Sequence, residues 1–136
     1  MVRRTERTLI NKAAVDKKMG RYTRVIIAAA KQSGALFLPK IHDAIFFKEI
    51  LTKLNRYDLC LFPNLSKKPL SLKDAASGFT KGSILILIGP EGDFSESEID
   101  AAIKNGCIGV SLGSSVLRVD TAAIGCLSFL RLHFGL

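Results

Sequence analysis

The stretch Ser83–Asp100, SILILIGPEGDFSESEID, constrains the fold more than any other part of the chain. Ile84 to Ile88 are apolar without a break, the pattern of a strand covered on both faces. Gly89 and Pro90 stop that strand abruptly. Ser95 and Glu98 then stand at capping-box spacing, which predicts a helix that Gly106 ends. The order recurs at once, with CIGVSLG as the next strand and VDTAAIGCLSFLRLHF as a closing helix. Strands that alternate with helices define an α/β fold with a largely parallel sheet flanked by helices.

The upstream sequence fits one domain over residues 1–136. Residues 1–16 form a basic, loosely held N-terminal segment. Val25, Ile26, Ala29 and Ala30 repeat at helical spacing, so a helix is expected from about Lys17 to Ser33, with Gly34 as its stop. ALFLPKI reads as a short extended piece. DAIFFKEILTKLN reads as an amphipathic helix with Asp43 as N-cap. DLCLFPN is a short apolar strand closed by Pro63 and Asn64. SKKPLSLKDAASGFTKGS is a polar connection with one helical turn near Leu72–Ala76. The closing helix is apolar nearly all round, so it must be buried. In so small a domain a second copy is the expected cover, hence a homodimer. The alternative is a helix packed on its own sheet alone.

Charge narrows the partner. The 136 residues carry a net charge of +8, which suggests an acidic partner such as nucleic acid and fits a surface basic only for solubility equally well. Arg3, Arg4, Arg7, Arg21 and Arg24 concentrate that charge early in the chain and are the candidate RNA contacts. Hydrophobic content of 48% excludes a disordered chain. No apolar run is long enough to span a bilayer, and the N-terminus has no apolar core of a secretory signal, so a cytoplasmic protein is expected. Cys60, Cys107 and Cys126 are widely spaced in apolar contexts, as buried free thiols in a reducing compartment would be. His42 and His133 lack neighbours at ligand spacing, so both read as structural and no metal site is expected.

Parallel α/β sheets bind ligands at the carboxyl ends of their strands. IGPEGDFS and LGSSVLRVDT both occupy that position. Gly89, Gly92 and Gly113 allow a ligand close to the backbone, and Pro90 stiffens the first turn. Exposed amides and carbonyls there suit a flat heterocycle. An ordinary strand-to-helix turn uses the same residues, so either loop alone decides nothing. There is no phosphate loop, no GxGxxG fingerprint and no GxSxG elbow, which disfavours phosphate cradling and hydrolysis.

Taken together, LILIGPEGDFSESEI, VSLGSSVLRVDTAA and the small-residue helix after them closely resemble the RsmE-type family of ribosomal RNA methyltransferases. ERT, GRYTRVIIAAAKQSG and LPKI extend the likeness upstream, so it covers nearly the whole chain. The resemblance implies a knotted SPOUT-type domain, with the last helix threaded through an earlier loop. It implies methylation of uridine N3 in small-subunit (16S) ribosomal RNA, with S-adenosylmethionine as the methyl donor. The donor pocket would take Ile88, Gly89, Glu91 and Gly92 from the first loop and Leu112, Gly113, Val116 and Leu117 from the second. Leu61, Phe62 and Pro63 would form the third wall. Arg118 would stabilise charge on the uracil ring or hold a phosphate, unless it only pairs with Asp120 or Glu91. Glu91 or Asp120 would accept the N3 proton, unless they only cap the helix or sense the donor's charge.

Four positions depart from the family pattern. Asp93 stands for a glycine, Ser115 and Ala35 for arginines, and Asp120 for a glutamate. On this resemblance, the sequence is expected to begin after the family's N-terminal RNA-binding β-barrel and the strand and helix that follow it. Two alternatives stay open on these grounds: a knotted RNA-binding or ribosome-assembly module with impaired catalysis, and a methyltransferase of the same fold acting on another RNA.

Overall fold

The computed structural model describes residues 2–3, 12–64, 69–90 and 92–135, with side chains from Lys18 onward. They fall into two compact units, Met1–Ile50 and Leu51–Leu136.

In the first unit, strand β1 (Val2–Arg3) pairs in parallel with β2 (Ile45–Phe46), Val2 opposite Ile45. Between them runs helix α1 (Lys12–Ser33). It starts five residues before the expected Lys17, because Lys12, Ala13 and Ala14 are good helix formers. Residues 12–16 are therefore helical rather than loose. Of the four apolar positions in the helical pattern, Ile26 and Ala30 are half-buried while Val25 and Ala29 are exposed. Gly34 ends the helix at φ 67°, and the Ala35 amide donates to the Ala30 carbonyl at 3.0 Å, the long bond of a Schellman cap. Asp43 caps no helix. Ile45 and Phe46 are taken by strand pairing, and helix α2 is confined to Phe47–Leu51. A β-branched and an aromatic residue suit the ladder, and that tertiary pairing overrides the helical pattern.

The second unit is a four-stranded, fully parallel sheet in the order β4-β6-β3-β5. The strands are β3 (Leu59–Pro63), β4 (Leu70–Ser71), β5 (Ile84–Ile86) and β6 (Ile108–Ser111). Helix α3 (Leu72–Ala76) lies at the expected turn and is capped by the Ser71 hydroxyl, which accepts from the Asp74 amide at 3.0 Å. Helix α4 (Glu96–Lys104) carries the expected capping box: the Ser95 hydroxyl accepts from the Glu98 amide at 3.3 Å, and the Glu98 carboxylate from the Ser95 amide at 2.8 Å. Helix α5 spans Val119–Phe134.

The strand covered on both faces is β3, not β5. Leu59 to Phe62 are all buried, whereas Ile84, Leu85 and Ile86 are only half-buried. Among the described residues β5 pairs on one side alone, and a strand at the sheet's edge gets less cover. The short strand β4 sits inside the segment expected to be a polar connection. Two residues carry no period, so only its partner β6 reveals it.

Leu59 and Leu61 pack with Leu72 and Ala75 of α3, Val110 of β6, and Cys126 and Leu130 of α5. Burying side chains of this size stabilises the fold by about 1.5–3 kcal/mol each. Helix α5 thus buries one stripe on its own sheet and leaves Ile124, Leu127 and Leu132 exposed. At the amino ends of β3 and β5, the Asp58 carboxylate accepts from the Ser83 amide at 2.8 Å and its hydroxyl at 2.9 Å. These bonds hold the Asp58 carboxyl below its ordinary range.

All three cysteines are free and buried. Cys60 precedes Leu61 and Cys107 precedes Ile108, a paired couple across β3 and β6, so the two thiols are neighbours. Burial, with the Cys60 thiol beside it, pushes Cys107 up to about 12. His133 stacks on Phe129 with ring centroids 5.1 Å apart, a packing role. No helix among the described residues is long and apolar enough to cross a membrane.

Candidate functional site

Because β5, β3 and β6 are adjacent and parallel, their carboxyl ends open on one edge of the sheet. Leu61 is paired with both Ile86 and Ile108, which puts the strand ends in register. The Leu87 amide carries the β5 ladder one step further, donating to the Leu61 carbonyl at 2.9 Å. Leu61–Pro63, the loop that begins at Ile88 and the loop that begins at Leu112 therefore all leave the sheet at this one edge. Glu91 lies outside the described residues, as do Arg4 and Arg7.

The first wall is mostly backbone. Leu61 and Phe62 are fully buried, so only their peptide groups and the half-buried Pro63 face a ligand. Beyond them comes Asn64, the only buried polar side chain among the described residues. Its backbone amide donates to the Val110 carbonyl at 3.1 Å, and its side-chain Nδ2 to the Phe62 carbonyl at 3.4 Å. Asn64 thereby fixes how β3 leaves the sheet. The sequence offered only a strand-ending asparagine, which reads as a turn residue.

The first loop is tightly determined. Pro90 to Asp93 form a turn closed by the Asp93 amide donating to the Pro90 carbonyl at 2.8 Å. Asp93 adopts φ 55°, the left-handed conformation glycine takes freely and that aspartate tolerates better than most residues. Its Oδ1 accepts from the Phe94 amide at 2.7 Å. Asp93 thus holds, at a position where the resemblance expects glycine, a backbone conformation open to glycine. A Cβ on Gly89 would lie 2.7 Å from Asp93 Oδ1 and 3.3 Å from the Phe94 ring, so this position has room only for hydrogen. Phe94 meets Phe62 edge-on at 5.6 Å between centroids, which ties the loop to β3. Phe94 went unnoticed in the sequence. Its place just before the Ser95 cap, five residues ahead of the buried Ile99, is the spacing of a hydrophobic staple.

The second loop is open. Leu112 packs against the core, but Gly113, at φ 120°, has nothing within 4 Å of where a Cβ would be. The Ser111 hydroxyl bridges the turn, donating to the Gly113 carbonyl at 3.0 Å and accepting from its amide at 3.2 Å. Val116 is 85% exposed and Leu117 is exposed as well. Arg118 begins α5, with its Nε 3.5 Å from Asp120 Oδ1 and both side chains largely in solvent. Asp120 also accepts from the Thr121 amide at 3.0 Å. The pairing that competes with a catalytic role for Arg118 is therefore present. An exposed pair of this kind contributes little to stability and is easily re-formed around a ligand. Arg21 and Arg24 are exposed on α1 in the first unit, while the side chain of Arg3 lies outside the described residues.

Three parallel strand ends that open on one edge, with helices packed on the sheet, define an α/β domain. The chain belongs to the family of RNA methyltransferase domains, which matches it over residues 1–131. Ribosomal RNA small subunit methyltransferase E of Rickettsia conorii is 37% identical over 115 residues, 82% of this chain and 46% of that protein. The ribosomal RNA small subunit methyltransferase E of Neisseria gonorrhoeae, solved bound to S-adenosyl methionine, superposes with a TM-score of 0.83 at 26% identity, over 96% of this chain and 52% of that one. A Legionella pneumophila protein described as a methyltransferase, solved with its cofactor SAM, gives 0.86 at 30% identity, over 95% and 52%. The chain spans about half the length of the curated relatives it matches.

Proposed function

We propose that this chain is the donor-binding part of an S-adenosylmethionine-dependent methyltransferase that modifies uridine N3 in small-subunit (16S) ribosomal RNA. The observation that supports the proposal is that β5, β3 and β6 are adjacent and parallel, so the three predicted loops leave the sheet at one edge. Two solved relatives that superpose on nearly the whole chain bind the same donor. Relatives described as small-subunit ribosomal RNA methyltransferases support that RNA as the substrate, and the uridine N3 target rests on the resemblance.

Gly89 and Gly92, with Ile88 and Glu91, form one side of the pocket. Leu112, Gly113, Val116 and Leu117 form the other, and the Leu61–Pro63 backbone closes the floor. The donor's sulfonium supplies an activated methyl group. For the uracil N3 to attack it, the ring must lose a proton, and Asp120 or Glu91 is positioned in sequence to accept it. Arg118, released from Asp120, stabilises the negative charge on the ring or holds a phosphate. Positioning by the three loops supplies much of the rate. Arg3, Arg4, Arg7, Arg21 and Arg24 hold the RNA, an interaction that weakens steeply with salt.

A second copy covers Ile124, Leu127 and Leu132 of α5, making the protein a homodimer. The single-domain, knotted arrangement and a cytoplasmic location belong to the same proposal. The left-handed Asp93 supports the reading, since it takes a backbone conformation open to the glycine that the resemblance expects there.

Calorimetric titration with S-adenosylmethionine and S-adenosylhomocysteine tests the pocket. The expected result is binding at about micromolar strength, lost in Gly89→Val, followed by methyl transfer to small-subunit RNA from cells lacking the modification. A folded protein that binds neither ligand overturns the enzyme reading in favour of an RNA-binding module. Donor binding with transfer only to a different RNA moves the substrate and keeps the chemistry.

A further inference from the structure

Leu36, Phe37 and Leu38 are 91%, 86% and 58% exposed, three large apolar side chains in a row and the most contiguous such run among the described residues. Scattered exposed apolar residues are ordinary, but a contiguous run marks a surface that meets something. The run is held at both ends. Gly34 at φ 67° and the Ala35-to-Ala30 bond turn the chain off α1 at a fixed angle. Pro39 restricts Leu38 to extended backbone. Phe37, at the centre, is thus presented outward by a short segment pinned on either side.

The charge around it selects the partner. From Lys17 to His42 the sequence holds Lys17, Lys18, Arg21, Arg24, Lys31 and Lys40 and no acidic residue. Arg21, Arg24 and Lys31 are all exposed, and their spacing of three and seven residues sets them on one face of α1. That face runs about 15 Å along the helix toward the Phe37 segment. A row of cations ending at an exposed aromatic ring is the pairing that single-stranded nucleic acid requires, phosphates on the cations and a base on the ring. A duplex buries its base faces and has no use for the ring. A purely apolar protein surface has no use for the cations.

Resting on the RNA reading above, we propose that Leu36–Leu38 with the Arg21–Arg24–Lys31 face is a docking surface for single-stranded RNA, on which Phe37 stacks an unpaired base. A base stacked on Phe37 selects a target in a loop or an unpaired strand.

The chain has no tryptophan, so Phe37→Trp makes a single-site reporter that keeps a stacking ring. The probe is a labelled oligouridine of about twelve nucleotides, titrated by anisotropy beside a duplex of the same length. Phe37→Ala is expected to weaken single-strand binding about 5- to 100-fold and leave duplex binding and the salt slope unchanged. Phe37→Trp is expected to retain affinity, with its emission quenched on binding. Arg21→Gln is expected to reduce the salt slope. Equal single-strand affinity of wild type and Phe37→Ala overturns the stacking surface and leaves the RNA reading standing. No binding of either RNA by the wild type overturns both. A Phe37→Ala change in sedimentation mass without a change in RNA affinity assigns the segment to a second copy. A Phe37→Trp emission shift with anionic phosphatidylserine vesicles, and none with RNA, assigns it to a membrane surface. Either of these last results sinks the proposal.

Discussion

The two loops that face each other across the end of β3 differ in how much of their shape the chain itself supplies. The first is closed by a turn bond at 2.8 Å, by the Asp93 carboxylate on the Phe94 amide at 2.7 Å, and by the ring contact with Phe62. The second has one serine hydroxyl spanning a glycine, an exposed valine and leucine, and an arginine largely in water. In the proposed pocket, one wall is preformed and the other is left to be ordered. A ligand that enters must immobilise Val116, Leu117 and Arg118, and that ordering subtracts from its affinity. A ligand bound to the preformed wall alone would be held without closure. The asymmetry suits a site that must admit a large second substrate on its open side.

The largest disturbance of this contrast comes from Phe62→Ala. Phe62 is 1% exposed, and truncation of a fully buried phenylalanine costs about 3–5 kcal/mol. Beyond that global loss, Phe94 has no ring to meet, so the first loop should become as loose as the second. Urea denaturation gives the stability change. Hydrogen exchange at the Asp93 and Phe94 amides gives the loop. Protection of those two amides unchanged in a folded Phe62→Ala protein would mean that the turn bonds hold the first wall without the ring.

A smaller effect isolates the turn itself. Asp93→Ala keeps a Cβ at φ 55° but removes the carboxylate that satisfies the Phe94 amide, and should destabilise by about 1–2 kcal/mol. Asp93→Gly also removes the carboxylate, but it relieves the backbone and clears the space beside Gly89, so it should lie within about 1 kcal/mol of wild type. Thermal unfolding of the pair, with calorimetry of donor binding, separates the two contributions. Equal losses in both variants would assign the whole role of Asp93 to its hydrogen bond and none to the left-handed backbone.

The sequence makes the preformed wall legible and leaves the open one obscure, for a physical reason. Gly89–Pro90, the Ser95–Glu98 capping box and the terminating Gly106 are local signals, and α4 and α5 lie where those signals put them. Leu72–Ala76 is similar, since Ser71 caps it from the adjacent position. What local spacing does not carry is strand order. The short β4 exists through its pairing with β6, and Ile45–Phe46 leave their helical pattern to pair with β1. The half-exposure of β5 likewise depends on its place in the sheet rather than on its composition. The site sits between these cases. Each loop was visible as a glycine-bearing turn, but their convergence depends on β3 lying between β5 and β6. Asn64 and Phe94 were missed because their work is done across strands, on Val110 and on Phe62.

The smallest change in stability should give the sharpest test of the open wall. Val116 is 85% exposed, so Val116→Ser should alter unfolding by less than about 0.5 kcal/mol. If the second loop closes over the donor, the valine becomes buried in the bound state alone, and the substitution should weaken S-adenosylmethionine binding about 5- to 20-fold. Affinity lost without stability lost is the signature of a surface that is apolar for its ligand rather than for its fold. Pairing the variant with Asp93→Ala gives the reverse profile, because that residue serves the shape of a wall already in place. Donor affinity unchanged in Val116→Ser would mean that the open loop stays open, and that the first loop and the Leu61–Pro63 backbone hold the donor alone.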